Sequence, residues 1–232
     1  MAGILMHHYV KIFVAYIIYV IMQDTMDIFI VFQIIILIFS VIIHEVSHGA
    51  MARFLGDKTA EYAGRLTLNP LKHIDPMGSI ILPAILILSH SPILFGWAKP
   101  VPYNPYNLQK GGKYAESLVA LAGPLANIAL ALVFGLLARL HIFPHEVNVL
   151  VQYIVFLNIF LAFFNLIPVP PLDGSKVIIP LLPHALQYKY EQLRKTLEHN
   201  PFLGFGLVIF LVTLFGDQFY ALVVSVAAIV LG

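Results

Sequence analysis

The chain has 232 residues, of which 60% are hydrophobic and 11% charged, with a formal net charge of +1 and a mean hydropathy of +0.89. An ordinary soluble domain carries roughly 25% charged residues, so a soluble globular enzyme is all but excluded, and lysines and arginines in short clusters leave no basic footprint for nucleic acid. With no cysteine, disulfides, thiolate metal sites and cysteine nucleophiles are excluded together, and any metal must sit on His, Asp or Glu.

In chain order, the first apolar stretch, residues 9–22, is short and carries Lys11 near its start. It could span a membrane, lie at its surface, or belong to an upstream extension with Met26 as the functional start. It does not resemble a cleavable signal peptide, because no basic residue precedes its apolar core and no small-x-small site follows. Four runs approach or exceed the roughly 20 apolar residues of a spanning helix: 28–55, 114–140, 149–167 and 202–231. Between the first two lies a shorter stretch, 80–95, broken by Pro83, His90 and Pro92, which reads as re-entrant rather than spanning.

The connections have patterns of their own. Residues 57–78 alternate at Arg65, Leu66, Thr67 and Leu68 as a short strand does, then turn at Asn69-Pro70 and Asp75-Pro76. Proline-rich 96–105 suits a second extended edge, and 184–200 a polar surface helix. The expected fold class is an all-α polytopic membrane protein of four to six membrane helices, with a re-entrant stretch and a small β-hairpin or edge element near the active site. Residues 1–25 form an N-terminal extension or additional membrane segment, and 26–232 one membrane domain with its core at about 28–183.

Chemistry enters at His44-Glu45-Val46-Ser47-His48, an HExxH pattern inside the first long apolar run. Residues i and i+4 project from one helical face, so both imidazoles can bind one metal while the intervening Glu45 reaches a water on it. Ionisable groups inside hydrocarbon are costly unless paired or coordinated, which makes the cluster a functional candidate. The bland alternative is a helix that ends before His44, with the polar side chains snorkelling to water. A catalytic zinc site needs a third protein ligand. Asp173 is the best candidate, because prolines in the segment from Asn165 to Gly174 open the backbone around it. Asp217 competes, but beside Gly216 it suits a helix break or hairpin turn better; for Asp173 itself the competing role is a helix cap.

HEVSHG at His44 to Gly49, GPLAN at Gly123 to Asn127 and NLIPVPPLDG at Asn165 to Gly174, in this order, resemble the site-2 proteases of peptidase family M50, zinc metalloproteases that cut inside membranes. By that resemblance His44, His48 and Asp173 are ligands of one Zn2+ per chain, Glu45 is the catalytic base, and Asn127 and Asn165 are substrate or oxyanion contacts. It implies hydrolysis of peptide bonds in or beside transmembrane segments of membrane-anchored proteins. The expected partners are that substrate and the lipid bilayer, with a homo-oligomer left open. The last helix matches nothing diagnostic, and no appended regulatory domain is recognisable.

Ligand geometry and charge then set a topology. His44 and His48 lie late in their helix and Asp173 at the far end of its own, so a re-entrant 80–95 brings both ends to one side. Arg53, Lys58, Arg65, Lys72, Lys99, Lys110, Lys113, Lys176, Lys189, Arg194 and Lys195 then share the site's side, with Arg139 alone opposite and Lys11 unassigned. Positive residues favour the cytoplasm, so the site is expected to open there; the resemblance further implies a multi-pass protein of a prokaryotic plasma (inner) membrane. The rivals are a divalent metal transporter, which would use His44, His48 and Asp173 but has no need of Glu45, and a catalytically silent membrane-binding protein. His7 and His8 read as incidental, and His73 as a loop residue that hydrogen-bonds locally.

Overall fold

A computed structural model describes residues 28–81, 84–85, 88–89 and 98–232. The stretch at 9–22 lies outside the described residues, and the expected re-entrant segment, 80–95, lies largely outside them. The principal helices are α1 (Ile28–Phe54), α2 (Thr59–Tyr62), α3 (Ala115–Arg139), α4 (His145–Asn165), α5 (Gly174–Ile178), α6 (His184–His199) and α7 (Pro201–Leu231). Four spans, Val31–Phe54, Gly112–Arg139, Val147–Asn165 and Gly206–Leu231, are long and apolar enough to cross a membrane. Helices suit this composition because they satisfy every backbone donor and acceptor internally where lipid offers none.

The chain divides into two compact units, residues 1–42 with 69–100, and residues 43–68 with 101–232. In the first, the Asn69 side chain accepts from the Leu71 N–H ahead of the 3-10 turn Pro70–Lys72. Asp75 Oδ1 likewise accepts from Gly78 N–H at 2.7 Å, so both sequence-read turns are present. His73 is buried, and its carbonyl accepts from Lys99 N–H at 2.9 Å.

The second unit holds the core. Ala131, Val155, Ile159, Val223 and Ala227 from α3, α4 and α7 form one cluster, with Phe160 and Phe219 packed against it. Ala52 of α1 and Leu55 just beyond it meet Ala115 and Val119 of α3 in another. Small residues let these helices approach closely, which matters in lipid because apolar faces gain little by leaving it. At the far end of the bundle the Arg139 guanidinium donates to the Ile229 and Val230 carbonyls, placing a cation at the negative end of α7.

Two expectations change. Among the described residues there is no strand, because the backbone donors that a β ladder needs are used elsewhere. Arg65 N–H closes a turn onto Ala60, Val101 N–H goes to Glu45, and Asn104 N–H goes to Asp57. Nor does the chain break at Asp217: α7 runs continuously from Pro201 to Leu231. A helical glycine costs only about 1 kcal/mol, less than exposing unpaired backbone to lipid.

Asp57, fully buried just beyond α1, ties the loop after that helix to the one before α3. Its carboxylate accepts from Thr59 N–H and Oγ1, Asn104 N–H and Asn107 Nδ2. Burial alone would raise its pKa, but the bonds from Thr59, Asn104 and Asn107 outweigh it and hold the carboxyl below the usual range. A depressed folded-state pKa makes a contribution that is full above the unfolded value of about 3.9 and is lost as pH falls through the folded one. Asp57→Asn is expected to cost about 1.5–3 kcal/mol at pH 7, as charged hydrogen bonds do. The gap between variant and wild type should close in acid; unfolding midpoints in detergent at both pH values check it.

Candidate active site

The site is built where the part of α1 from Ile43 onward, α3 and the turn after α4 meet, and these segments all belong to the second unit. His44 and His48, one helical turn apart, face α3 with both rings buried and set edge to face, their centroids 4.6 Å apart. Their outer nitrogens have assigned partners. His44 Nδ1 lies 2.6 Å from Asn127 Oδ1, and His48 Nδ1 lies 2.7 Å from the Val119 carbonyl. Both oxygens accept only, so each Nδ1 carries a proton, and in the neutral imidazole that leaves Nε2 with its lone pair turned inward.

The inward atoms converge with a carboxylate. The two Nε2 atoms are 3.0 Å apart, and Asp173 Oδ2 lies 3.1 Å from that of His44 and 3.3 Å from that of His48. Ligands 2.0–2.2 Å from a shared tetrahedral centre are separated by about 3.3–3.5 Å. Two lone pairs and a carboxylate oxygen aimed at one point repel unless a cation lies among them, so the donor set fits a zinc ion. Glu45 belongs to the same cluster, with a carboxylate oxygen within 4.8 Å of both imidazoles' ligand atoms. It is aimed differently, because its Oε2 accepts from Val101 N–H at 2.9 Å.

The floor beneath the two Nε2 atoms is Gly123. A Cβ there would lie 2.5 Å from His48 Nε2 and 2.6 Å from His44 Nε2, so a side chain would occupy the cradle. Next to it Pro124, buried inside α3, lacks the N–H that would pair with the Ala120 carbonyl and disturbs the helix locally. Val119, Gly123 and Asn127 thus form a row spaced by four on α3: the partner of His48, the cradle, and the partner of His44. The histidines meet this row in reverse order, as antiparallel helices require.

Asp173 reaches the site from a run of turns. Leu172 N–H bonds to Val169 and Ser175 N–H to Leu172, while Ser175 Oγ donates to the Leu172 carbonyl at 2.7 Å. A Cβ on Gly174 would come within 2.2 Å of the Leu166 carbonyl oxygen, so only glycine closes this loop. Asp173 stands at the N-cap of α5, but its side chain makes no capping bond; the carboxylate turns to the histidines instead.

The other sequence-read residues fall elsewhere. Asn127 is 0% exposed, and beyond accepting from His44 it donates to Asn158 Oδ1 at 2.8 Å, behind the imidazole rather than in open space. Asn165 Nδ2 donates to the Leu161 carbonyl of its own helix at 2.9 Å. Asn127 is therefore not presented to a substrate, while the Nδ2 of half-buried Asn165 is committed to its own helix. Sequence reasoning passed over Val119, Val101 and Asn158, and gave Gly123 no role beyond its place in the GPLAN motif. The i, i+4, i+8 row on α3 and an amide inside a spanning helix were the available signals.

The family model described as peptidase family M50 matches residues 139–198. The chain is 38% identical over 190 residues to YwhC of Bacillus subtilis (strain 168), covering 78% of each protein. It is 31% identical over 186 residues to Rip2 of Mycobacterium tuberculosis (strain ATCC 25618 / H37Rv), covering 79% of this chain and 68% of that one. Over 61 residues, 26% of this chain and 31% of the other, it is 48% identical to MJ0611 of Methanocaldococcus jannaschii. All three bear provisional names as zinc metalloproteases. No solved structure matches the chain significantly.

Proposed function

The chain belongs to peptidase family M50, the site-2 protease family, with zinc as its cofactor, and from that premise we propose that it hydrolyses peptide bonds in or beside the transmembrane segments of membrane-anchored proteins. The observation that carries this reading is the convergence of His44, His48 and Asp173 within 3.0–3.3 Å, with Glu45 beside them. His44 and His48 lie six to ten residues before the end of α1. At 1.5 Å per residue that is about 9–15 Å inside a membrane-length helix.

His44, His48 and Asp173 would hold the zinc. When bound, the metal acidifies water and polarises the scissile carbonyl. Glu45, kept in place by Val101 N–H, takes a proton from the attacking water as the new C–O bond forms. It returns the proton to the amide nitrogen as the C–N bond breaks, giving a carboxylic acid and an amine. The Nδ1 bonds to Asn127 and Val119 keep both imidazoles in the tautomer that leaves Nε2 free. A helical substrate must unwind first, and residues 99–103, which lie in neither helix nor strand, are where it would lie extended.

Orientation follows from charge. Arg53, Lys58, Lys110, Lys113 and Lys176 flank the site's end of α1, α3 and α4, whereas Arg139 lies at the opposite end of α3. By the positive-inside rule the site opens to the cytoplasm of a prokaryotic plasma membrane.

The test is cleavage of a single-pass reporter by the purified protein in proteoliposomes. Cleavage should stop with a zinc chelator and return with added zinc. Zinc flux across the vesicles without cleavage of any reporter would favour a transporter instead.

A further inference from the structure

We propose that Asn158 is a positioning residue for the metal site: from within α4 it fixes the amide of Asn127 in the one orientation that makes His44 a metal ligand. The proposal rests on the zinc reading above. Asn158 is 0% exposed on a helix whose composition suits lipid, where a buried amide is costly and calls for a reason.

That reason is directional. His44 becomes a ligand only if its proton sits on Nδ1, and Nδ1 carries it only if Asn127 presents oxygen rather than NH2. An isolated amide can flip, because its two ends have nearly the same shape. Asn158 removes the freedom. Its own Nδ2 donates to the Ile154 carbonyl at 2.9 Å, and a carbonyl can only accept. Its Oδ1 must then face Asn127, whose Nδ2 donates to it at 2.8 Å. This leaves Asn127 Oδ1 to accept from His44 Nδ1 at 2.6 Å. The polarity therefore runs from a backbone carbonyl of α4 through two amides to the imidazole, and it ends with a bare Nε2 at the metal position. Were the first donor reversed, each later group would reverse too, and a proton would stand where the metal belongs.

The competing role for Asn158 is interhelical glue between α3 and α4. Glue lost on substitution costs stability whatever stands at position 127, whereas an orienting role disappears once the residue there has no orientation to fix. Asp at 127 is such a residue, since both of its oxygens accept.

The experiment titrates purified, metal-free protein with Co(II), a spectroscopic substitute for zinc, and reads the visible bands of four-coordinate cobalt. Asn158→Ala is expected to weaken binding by about 10–100-fold, the usual effect of losing the outer-shell bond to a metal-bound histidine, here because the amide of Asn127 is no longer oriented. In an Asn127→Asp background the same substitution should change affinity by less than about twofold, the signature of a coupled pair. Should Asn158→Ala alone fail to fold, Asn158→Asp, which keeps an acceptor for Asn127, is measured instead and should bind within about threefold of wild type. Wild-type affinity in Asn158→Ala, an undiminished loss in the Asn127→Asp background, or weak binding by Asn158→Asp would each overturn the proposal. A wild-type protein with no four-coordinate cobalt spectrum overturns the zinc reading and this proposal together.

Discussion

Glu45→Gln is expected to keep its zinc and to lose cleavage of the reporter by about 10²–10⁴-fold, the range that general acid–base catalysis supplies. The two outcomes separate because the side chain and the metal are held by different groups. Gln has nearly the same shape and still offers an oxygen to Val101 N–H, which holds Oε2 at 2.9 Å in the wild type, so the side chain stays in place. The converging nitrogens and Asp173 oxygen belong to other residues, so metal content should not change. What is lost is the ability to take a proton from water and return it to the leaving nitrogen. The measurement is kcat/KM beside zinc per chain. If metal disappears together with activity, Glu45 is a ligand and the assignment of Asp173 must be revisited.

Gly123→Ala is expected to have the opposite signature, with zinc and cleavage lost together. The new methyl would lie 2.5 and 2.6 Å from the two Nε2 atoms, well inside van der Waals contact, and neither ring can swing away without giving up its Nδ1 partner. The helices cannot separate cheaply either, since Ala52, Leu55, Ala115 and Val119 pack at the same crossing. Overpacking a close contact costs about 1–3 kcal/mol. The cost here falls on the metal position itself, so zinc content is expected below about a tenth of wild type. Circular dichroism and metal analysis on one preparation check it: retained helicity with empty sites is the expected pair. Full zinc occupancy would show that the rings are not seated against α3 as described.

The contrast between these variants bears on what the sequence could reveal. Hydropathy located the four long helices, because a spanning segment is a long, strong signal that needs no tertiary context. HExxH carried its own geometry, since i and i+4 share a helical face. The approach of Asp173 to the two histidines was legible because prolines and glycine around an acidic residue announce an opened backbone at the end of an apolar run. The roles of Asn127 and Asn165 were not legible: a motif tells which residues gather, but not whether an amide faces the cavity or the back of an imidazole. Arg65 to Leu68 alternates like a strand, yet alternation measures only which side chains could share a face. Whether a ladder forms depends on where the backbone donors go, and a local turn takes that of Arg65 while distant carboxylates take those of Val101 and Asn104. The uninterrupted α7 shows the same dependence, with lipid enforcing helix through Gly216 and Asp217 where local propensity suggested a break.

The row of Val119, Gly123 and Asn127, spaced by four, also makes the metal a gauge of assembly. Advancing α3 by one residue would rotate its face by about 100° and slide it about 1.5 Å, which disrupts the row as a unit. Held by His44, His48 and Asp173 as proposed, zinc would recognise a single alignment of α1 with α3. At a hundred times its dissociation constant, a bound ion adds about 2.7 kcal/mol to the folded state, a large increment for helices that gain little by leaving lipid for one another. Supply of the ion and lifetime of the protein become linked. In zinc-starved cells, chains inserted before their metal arrives would be held together more loosely and cleared faster by quality-control proteases, so abundance should fall along with activity.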